Sequence, residues 1–131
     1  MTGEKLRVGV MGAGFISTYH IEGLRAAGAQ VVAISSRTLE SARKQASVYD
    51  IPFVTDQNEA VLAHPEVEAV VIATPDYTHR DLALQAIEAG KPVLLQKPMA
   101  RNSAECRDII EAGERAGVPV FVSFMHRYFE E

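Results

Sequence analysis

Two short segments of this chain carry residue types that could do chemistry together. The first, Gly12-Ala13-Gly14-Phe15-Ile16-Ser17, follows the apolar run Leu6 to Met11, and the second, Gln96-Lys97-Pro98, follows Val93-Leu94-Leu95. Glycines after a buried strand allow a tight turn and a close approach of the backbone to a pyrophosphate. A lysine after a buried strand can serve as a proton donor or acceptor. Together the segments predict a dinucleotide cradle beside a catalytic Lys97.

The glycine segment predicts how the phosphates are held. Gly12 permits the turn, Gly14 leaves space that a Cβ would fill, and Ser17 supplies a small side chain where the G-x-G-x-x-G fingerprint has its third glycine. A helix from Phe15 to Ala27 would point its N-terminal amides at the bound anion. Its inward face is expected to carry Ile16, Tyr19, His20, Gly23 and Leu24, and the predicted phosphate contacts are Gly12, Ala13, Gly14, Phe15 and Ile16. The alternative is a glycine-rich turn that binds nothing.

The segment after the second strand indicates which coenzyme fits. An NAD-binding chain normally has an acidic residue there for the ribose hydroxyls, whereas this chain has Ser35-Ser36-Arg37-Thr38. The Arg37 guanidinium and the hydroxyls of Ser36 and Thr38 can bind a 2′-phosphate, and no carboxylate in this segment repels it. We therefore expect NADP to be favoured over NAD. Alternatively, Arg37 lies across the adenine face, where it would serve either dinucleotide.

The loops after the fourth and fifth strands supply the remaining candidates. Pro75 cannot continue a strand, and Asp76 is either the N-cap of the next helix or a functional acid. His79 is either a cofactor contact or a structural histidine. Lys97 is expected to contact the nicotinamide end and a substrate hydroxyl as proton acceptor, from a partly buried position that favours the neutral amine. The alternative is an exposed loop lysine.

Apolar runs alternate with amphipathic stretches along the whole chain. The predicted strands are Leu6 to Met11, Gln30 to Ser35, Pro52 to Val54, Ala69 to Ala73, Val93 to Leu95 and Val118 to Val122. The predicted helices are Phe15 to Ala27, Leu39 to Tyr49, Asp56 to Ala63, Asp76 to Ala89 and Ser103 to Ala116. Helix caps are expected at Asp56 and Asn102, each three residues before a glutamate, and helix ends at Gly90 and Gly117.

This alternation predicts an α/β fold with right-handed crossovers. The expected architecture is a doubly wound parallel sheet of about six strands, the Rossmann fold, in a single dinucleotide-binding domain over residues 1–123. Ligands of such sheets bind beyond the carboxyl ends of the strands. All of the candidate residues lie at those ends.

Composition and charge limit the class of protein. The 131 residues have 47% hydrophobic content and a formal net charge of −4, with scattered lysines and arginines, so a nucleic-acid partner is not expected. No apolar run reaches the ~20 residues of a membrane span, and the amino terminus does not resemble a signal peptide. The single cysteine, Cys106, is expected to pack beside Ile109 and Ile110 and favours a reducing, cytoplasmic compartment. We assign no metal site.

Several motifs, in this order and spacing, resemble the Gfo/Idh/MocA family of glucose-fructose oxidoreductase, inositol dehydrogenase and rhizopine catabolism proteins. They are Gly12 to Ser17 with His20, Thr74-Pro75-Asp76-Tyr77-Thr78-His79, Gly90 to Pro98 with its Lys97-Pro98 pair, and Phe124-Met125-His126-Arg127-Tyr128. The resemblance covers essentially the whole chain. It implies the cofactor-binding domain of an NAD(P)-dependent oxidoreductase that transfers hydride between the nicotinamide and a sugar, polyol or related hydroxy compound. The site residues that we carry over are Lys97 as the catalytic residue and Thr74, Pro75, His79, Gln96, Lys97 and Arg127 as cofactor contacts.

The chain also departs from the family pattern. Family members usually have Glu at the position of Gln96, so Lys97 here lacks a negative neighbour, and they usually have Asn where this chain has Asp76. They also carry a second α/β domain that closes the substrate pocket. Residues 124–131 are therefore expected to begin the connection to an absent substrate domain, and the 131 residues alone are expected to be inactive. The alternatives are a non-catalytic dinucleotide-binding or sensing module and a degenerate Rossmann domain kept for dimerisation; a homo-oligomer is compatible with each.

Overall fold

The structure, a computed structural model, describes residues 5–123. Six parallel strands form one sheet in the order β3-β2-β1-β4-β5-β6. The strands are β1 (Arg7–Met11), β2 (Gln30–Ser35), β3 (Phe53–Thr55), β4 (Ala69–Ile72), β5 (Val93–Gln96) and β6 (Val120–Ser123). The chain runs outward from β1 to β3, returns to the other side of β1 and then runs outward again. This reversal between β1 and β4 confirms the predicted doubly wound fold.

Within residues 5–123, five α-helices cover the two faces of the sheet. They are α1 (Phe15–Ala26), α2 (Leu39–Tyr49), α3 (Asn58–Ala63), α4 (His79–Glu88) and α5 (Ser103–Ala116). Successive side chains of a strand point to opposite faces, so Val70 and Ile72 of β4 pack in one core cluster and Val71 packs in the other. The first cluster includes side chains of α3, α4 and α5, and the second includes side chains of α1 and α2. Both faces of the central strands are therefore apolar, as the sequence pattern predicts.

The face on which helix α1 packs matches the predicted one only in part: His20 is buried and Leu24 packs against the second core cluster as expected, but the helix is rotated. Its buried residues are Ser17, His20 and Ile21, whereas Tyr19 is 42% exposed. Ser17 lies where the fingerprint requires the helix to approach the strand closely, and this requirement sets the rotation of the helix. The prediction relied on the spacing of apolar side chains, and it therefore placed Tyr19 on the buried face.

Two predicted helix starts are also wrong. Helix α3 begins at Asn58 with Gln57 at the N-cap position, and the Asp56 side chain makes no cap hydrogen bond. The Thr55 hydroxyl accepts the backbone N–H of Gln57 at 3.0 Å, which forms a local turn and delays the helix. Residues 76–78 form a 3-10 turn before α4, and the Asp76 side chain does not cap it.

The other predicted helix ends are confirmed. The Asn102 side chain accepts the backbone N–H of Glu105 at 2.9 Å, and Gly117 ends α5 with φ +69°. Gly90 follows α4 with φ +76°. Cys106 packs partly buried against the first core cluster. Among residues 5–123, no helix is long and apolar enough to cross a membrane.

Candidate cofactor-binding site

A cavity of 360 Å³ opens at the carboxyl ends of β1, β2, β3 and β4. This position is the point where the strand order reverses, which is where ligands of doubly wound sheets bind. The lining residues come from four separate loops, and they are Gly12, Ala13, Gly14, Ser36, Arg37, Asp56, Asn58, Ala73, Thr74, Pro75, Tyr77 and Thr78. The fold therefore brings the glycine segment, the Ser36-Arg37 segment and the Thr74-Pro75 loop into one pocket.

The two glycines of the cradle have different physical roles. Gly12 has φ +111°, and a Cβ there would lie 2.7 Å from the carbonyl oxygen of Ala73. That glycine is required by the fold, because the β1 turn packs directly on the end of β4. A Cβ on Gly14 would meet nothing within 4 Å. The open space at Gly14 is therefore part of the pocket.

Helix α1 begins immediately after this open space. Gly14 is its N-cap, and the first backbone N–H groups of a helix have no intrahelical acceptor. Ser17 is 1% exposed and its hydroxyl donates to the carbonyl oxygen of Gly14 at 2.7 Å. The serine thus satisfies its own polar group while it packs where the fingerprint has a third glycine. The turn is shaped to present unpaired amides and a positive helix end to an anion.

The loop after β2 brings a cation to the same pocket. Ser36 is half-buried and its backbone N–H donates to the carbonyl oxygen of Thr55 at 3.3 Å. Arg37 is exposed, and within the described residues it makes no ion pair or hydrogen bond. Thr38 instead caps α2, where its hydroxyl oxygen accepts the backbone N–H of Ser41 at 3.1 Å. Ser36 and Arg37 line the cavity and Thr38 does not.

His79 is a buried link between two loops of the site. Its side chain is 1% exposed, with Nδ1 2.9 Å from the carbonyl oxygen of Pro98 and Nε2 2.8 Å from that of Thr74. A second contact joins Nδ1 to the carbonyl oxygen of Met99 at 3.3 Å. The predicted cofactor contact at His79 is therefore corrected, because both ring nitrogens face backbone carbonyls in the interior. The structural alternative given by the sequence is the one that the geometry supports.

The loop after β5 lies beside this link. Gln96 Oε1 lies 2.7 Å from Nε2 of His20, a residue of α1 that is 8% exposed, so the imidazole N–H donates to the side-chain carbonyl. This contact ties the last residue of β5, which immediately precedes Lys97, to helix α1, which begins at the glycine turn. Lys97 itself is exposed and precedes a cis peptide bond to Pro98. The expectation that Lys97 is partly buried is therefore wrong, because no residue between positions 5 and 123 covers its side chain enough to bury it.

Several residues of the pocket were missed by sequence reasoning. Tyr77 is 62% exposed and lines the pocket beside Thr78, whose hydroxyl donates to the carbonyl oxygen of Pro75 at 2.6 Å. Asp56 and Asn58 reach the pocket from the end of β3. The signal for these two residues was present, because the carboxyl-end rule applies to the third strand as well as to the first and second. Of the other predicted contacts, Phe15 and Ile16 begin α1 without lining the cavity, and Arg127 lies outside the described residues.

A larger cavity of 530 Å³ lies at the opposite edge of the sheet. Its lining includes Lys5, Arg25 and Gln30, which lie at or near the amino end of β2. Doubly wound sheets bind their ligands at the carboxyl edge, where the loops and helix N-termini converge. The smaller cavity is therefore the candidate site.

The fold and the site together define the chain as a dinucleotide-binding domain of the Rossmann class. Comparison with known sequences places residues 6–124 in the Gfo/Idh/MocA group, described as an oxidoreductase family with an NAD-binding Rossmann fold. The chain belongs to this family, and it is an NAD(P)-binding domain of it.

Individual relatives agree with this assignment. The chain is 38% identical over 134 residues to inositol 2-dehydrogenase 4 of Saccharopolyspora erythraea. The alignment covers 100% of this chain and 40% of that protein. The WlbA dehydrogenase from Bordetella pertussis, solved with NADH and UDP-GlcNAcA, superimposes with a TM-score of 0.84 at 29% identity, over 92% of this chain and 37% of that one. KijD10, a 3-ketoreductase from Actinomadura kijaniata solved with TDP-benzene and NADP, superimposes with a TM-score of 0.86 at 25% identity. That superposition covers 96% of this chain and 42% of KijD10. The chain thus spans about two fifths of the length of these proteins.

Proposed function

We propose that this chain is the cofactor-binding part of an NAD(P)-dependent oxidoreductase that transfers hydride between the nicotinamide and a sugar, polyol or related hydroxy compound. Membership of the oxidoreductase family supports the reaction class, and the inositol dehydrogenase and sugar-nucleotide relatives support the substrate class. NADP is proposed as the preferred coenzyme, because Arg37 lines the pocket where a 2′-phosphate would lie.

The single observation that carries the proposal is the open space at Gly14. It lies at the N-terminus of α1, inside a cavity that also contains Ser36 and Arg37. A pyrophosphate needs a cradle without a Cβ, unpaired amides and a positive helix end, and this turn has each of them. The residues of this chain therefore fit a dinucleotide.

Lys97 is the proposed catalytic residue. Once bound, the nicotinamide ring supplies the hydride chemistry. The amine of Lys97 would accept the proton of a substrate hydroxyl, or return it in the reverse direction. His20, through Gln96, and His79, through Pro98, hold the two ends of the segment that carries Lys97. The exposed lysine requires a further surface to enclose the substrate, which agrees with the proposal that catalysis needs a second domain.

Substitution of Gly14 by valine tests the proposal. A Cβ at Gly14 meets no protein atom within 4 Å and points into open pocket space, so Gly14→Val should leave the fold intact and lower the affinity for NADPH and NADH. The expected loss is about 100-fold or more, which corresponds to roughly 2.8 kcal/mol. Calorimetric titration measures the affinity, and circular dichroism verifies the fold of the same sample.

The same chain offers a matched control. Gly23 lies in α1, and a Cβ there would also meet nothing within 4 Å, but it does not line the cavity. Gly23→Val should therefore bind both dinucleotides like the unaltered chain. If a folded Gly14→Val variant kept its affinity for NADPH and NADH, the hypothesis that this turn binds the pyrophosphate would be rejected.

A non-catalytic dinucleotide-binding module is the second candidate. The exposure of Lys97 favours it, because a binding module has no need for a desolvated amine. It shares the cradle, so the Gly14→Val titration does not separate the two candidates. Activity of a longer protein that contains this domain separates them.

A further inference from the structure

Asp56 lines the candidate cavity beside the segment that follows β2, where Ser36 and Arg37 also line it. β2 and β3 pair in parallel with Ser35 opposite Thr55, so the chain positions that follow, Ser36 and Asp56, leave the sheet side by side. Both residues line the 360 Å³ cavity, as does Arg37. The sequence segment after β2 has no acidic residue, but the next strand delivers one to the same place.

The loop that carries Asp56 is fastened to the end of β2. The backbone N–H of Ser36 donates to the carbonyl oxygen of Thr55 at 3.3 Å, and the buried hydroxyl of Ser35 donates to Oδ1 of Asn58 at 2.6 Å. These bonds lie on both sides of Asp56 in the sequence. The backbone of Asp56 is therefore held beside the Ser36-Arg37 segment.

The carboxylate itself is available to a ligand. Its expected use as the N-cap of α3 is not realised, because the helix begins at Asn58. Within the described residues its one hydrogen bond is from the side-chain amide of the adjacent Gln57, at 3.3 Å. Asp56 is exposed and forms no ion pair with Arg37. The pocket thus presents a cation and an anion that do not neutralise each other by contact.

We propose that Asp56 is a coenzyme-specificity residue, which opposes Arg37 in the choice between NADP and NAD. A carboxylate accepts hydrogen bonds from ribose hydroxyls and repels a 2′-phosphate, whereas the guanidinium attracts that phosphate. Arg37 alone would give a strong preference for NADP, and Asp56 reduces it. The inference rests on the proposed function, because it requires a dinucleotide in this pocket.

Substitution of Asp56 by asparagine tests the inference. Asparagine keeps the shape of the side chain and removes its charge, so NADPH affinity should rise relative to NADH affinity. The expected increase in the affinity ratio is about 3- to 10-fold, the scale of one carboxylate acting on a phosphate across an exposed pocket. Calorimetric titration of the 131-residue chain with each reduced coenzyme gives the ratio, and circular dichroism verifies the fold.

Two further variants make the experiment specific. Glu59→Gln removes the same charge three residues away, from an exposed residue of α3 that does not line the cavity, and should change the ratio less than about 2-fold because solvent screens it. Arg37→Ala should lower NADPH affinity relative to NADH affinity, whereas Asp56→Asn should raise it.

Each outcome decides between the hypotheses. A higher NADPH preference in Asp56→Asn alone supports the inference. An unchanged ratio in Asp56→Asn, or an equal change in Glu59→Gln, would overturn it while the proposed function survives. Binding of neither coenzyme by the unaltered chain would overturn the proposed function and this inference with it.

Discussion

Replacement of His79 by leucine should destabilise the domain strongly. The imidazole is 1% exposed and reaches the carbonyl oxygens of Thr74 and Pro98 at 2.8 and 2.9 Å. Leucine fills a similar volume but cannot donate a hydrogen bond. The two loops that follow β4 and β5 would then lose their common donor.

The magnitude follows from the number of bonds. The imidazole carries at least one N–H, so it donates at least one of the two hydrogen bonds to the carbonyl oxygens of Thr74 and Pro98. Each is worth about 1 kcal/mol net, and a buried carbonyl left without a donor costs about 1–3 kcal/mol more. Thr74 is half-buried and Pro98 is exposed, so water replaces part of the loss. The free energy of unfolding should therefore fall by about 2–4 kcal/mol, which is a large fraction of the roughly 5–15 kcal/mol of a typical domain.

His64 provides the same substitution at a less demanding position. It is half-buried, its Nδ1 accepts the backbone N–H of Glu66 at 3.1 Å, and its ring contacts Phe53 edge-on. His64→Leu should cost less than about 1 kcal/mol, because the freed N–H reaches solvent. Urea denaturation of the two variants and the unaltered chain, followed by circular dichroism, gives the comparison.

The result that refutes the reasoning is a small or equal effect. If His79→Leu lowers the free energy of unfolding by no more than His64→Leu, the imidazole is not the link between the loops. If the variant is folded, Thr74 in the pocket should also shift, so NADPH affinity should fall in step with stability. A His79→Leu variant that is stable and binds NADPH with unchanged affinity would show that His79 only packs in the core and does not link the two loops.

Two further predictions concern other parts of the domain. The Glu105 carboxylate accepts hydrogen bonds from the Arg101 guanidinium and, more weakly, from the Arg101 backbone N–H, and these bonds hold the pKa of the carboxyl below the usual 4.5. The stabilising contribution of Glu105 is therefore present at neutral pH and is lost as the pH falls through the folded-state pKa. Glu105→Gln should therefore flatten the acid side of the stability profile, and urea midpoints at about pH 7 and about pH 3 that differ as much as in the unaltered chain would contradict this. In the longer protein that the proposed function requires, Lys97→Met should lower kcat by roughly 100-fold with little change in NADP affinity, and steady-state assays with sugars and inositols would reject the role of Lys97 if kcat were unchanged.

Local sequence pattern was sufficient to predict the sheet and the tight glycine turn between β1 and α1. Apolar runs of strand length alternated with amphipathic helices, and the glycines after β1 required a tight turn at the start of α1. The caps at Asn102 and Gly117 were also predictable, because a helix end depends on residues within one turn of it. These features are decided by neighbours along the chain.

The rotation of α1 and the surroundings of His79, Lys97 and Asp56 were decided only by the tertiary structure. His79 finds its partners 5 and 19 residues away, on loops that the β4-β5 pairing brings together. Lys97 is exposed because no described element covers the end of β5, a fact of packing that its own sequence neighbours do not encode. Asp56 reaches the candidate pocket because β3 pairs with β2, and parallel pairing places Ser35 and Thr55, which are 20 residues apart in sequence, opposite each other at the ends of the two strands. The charge balance of the pocket is therefore a property of strand order, since the loop after β2 alone carries a cation and the neighbouring strand adds the anion.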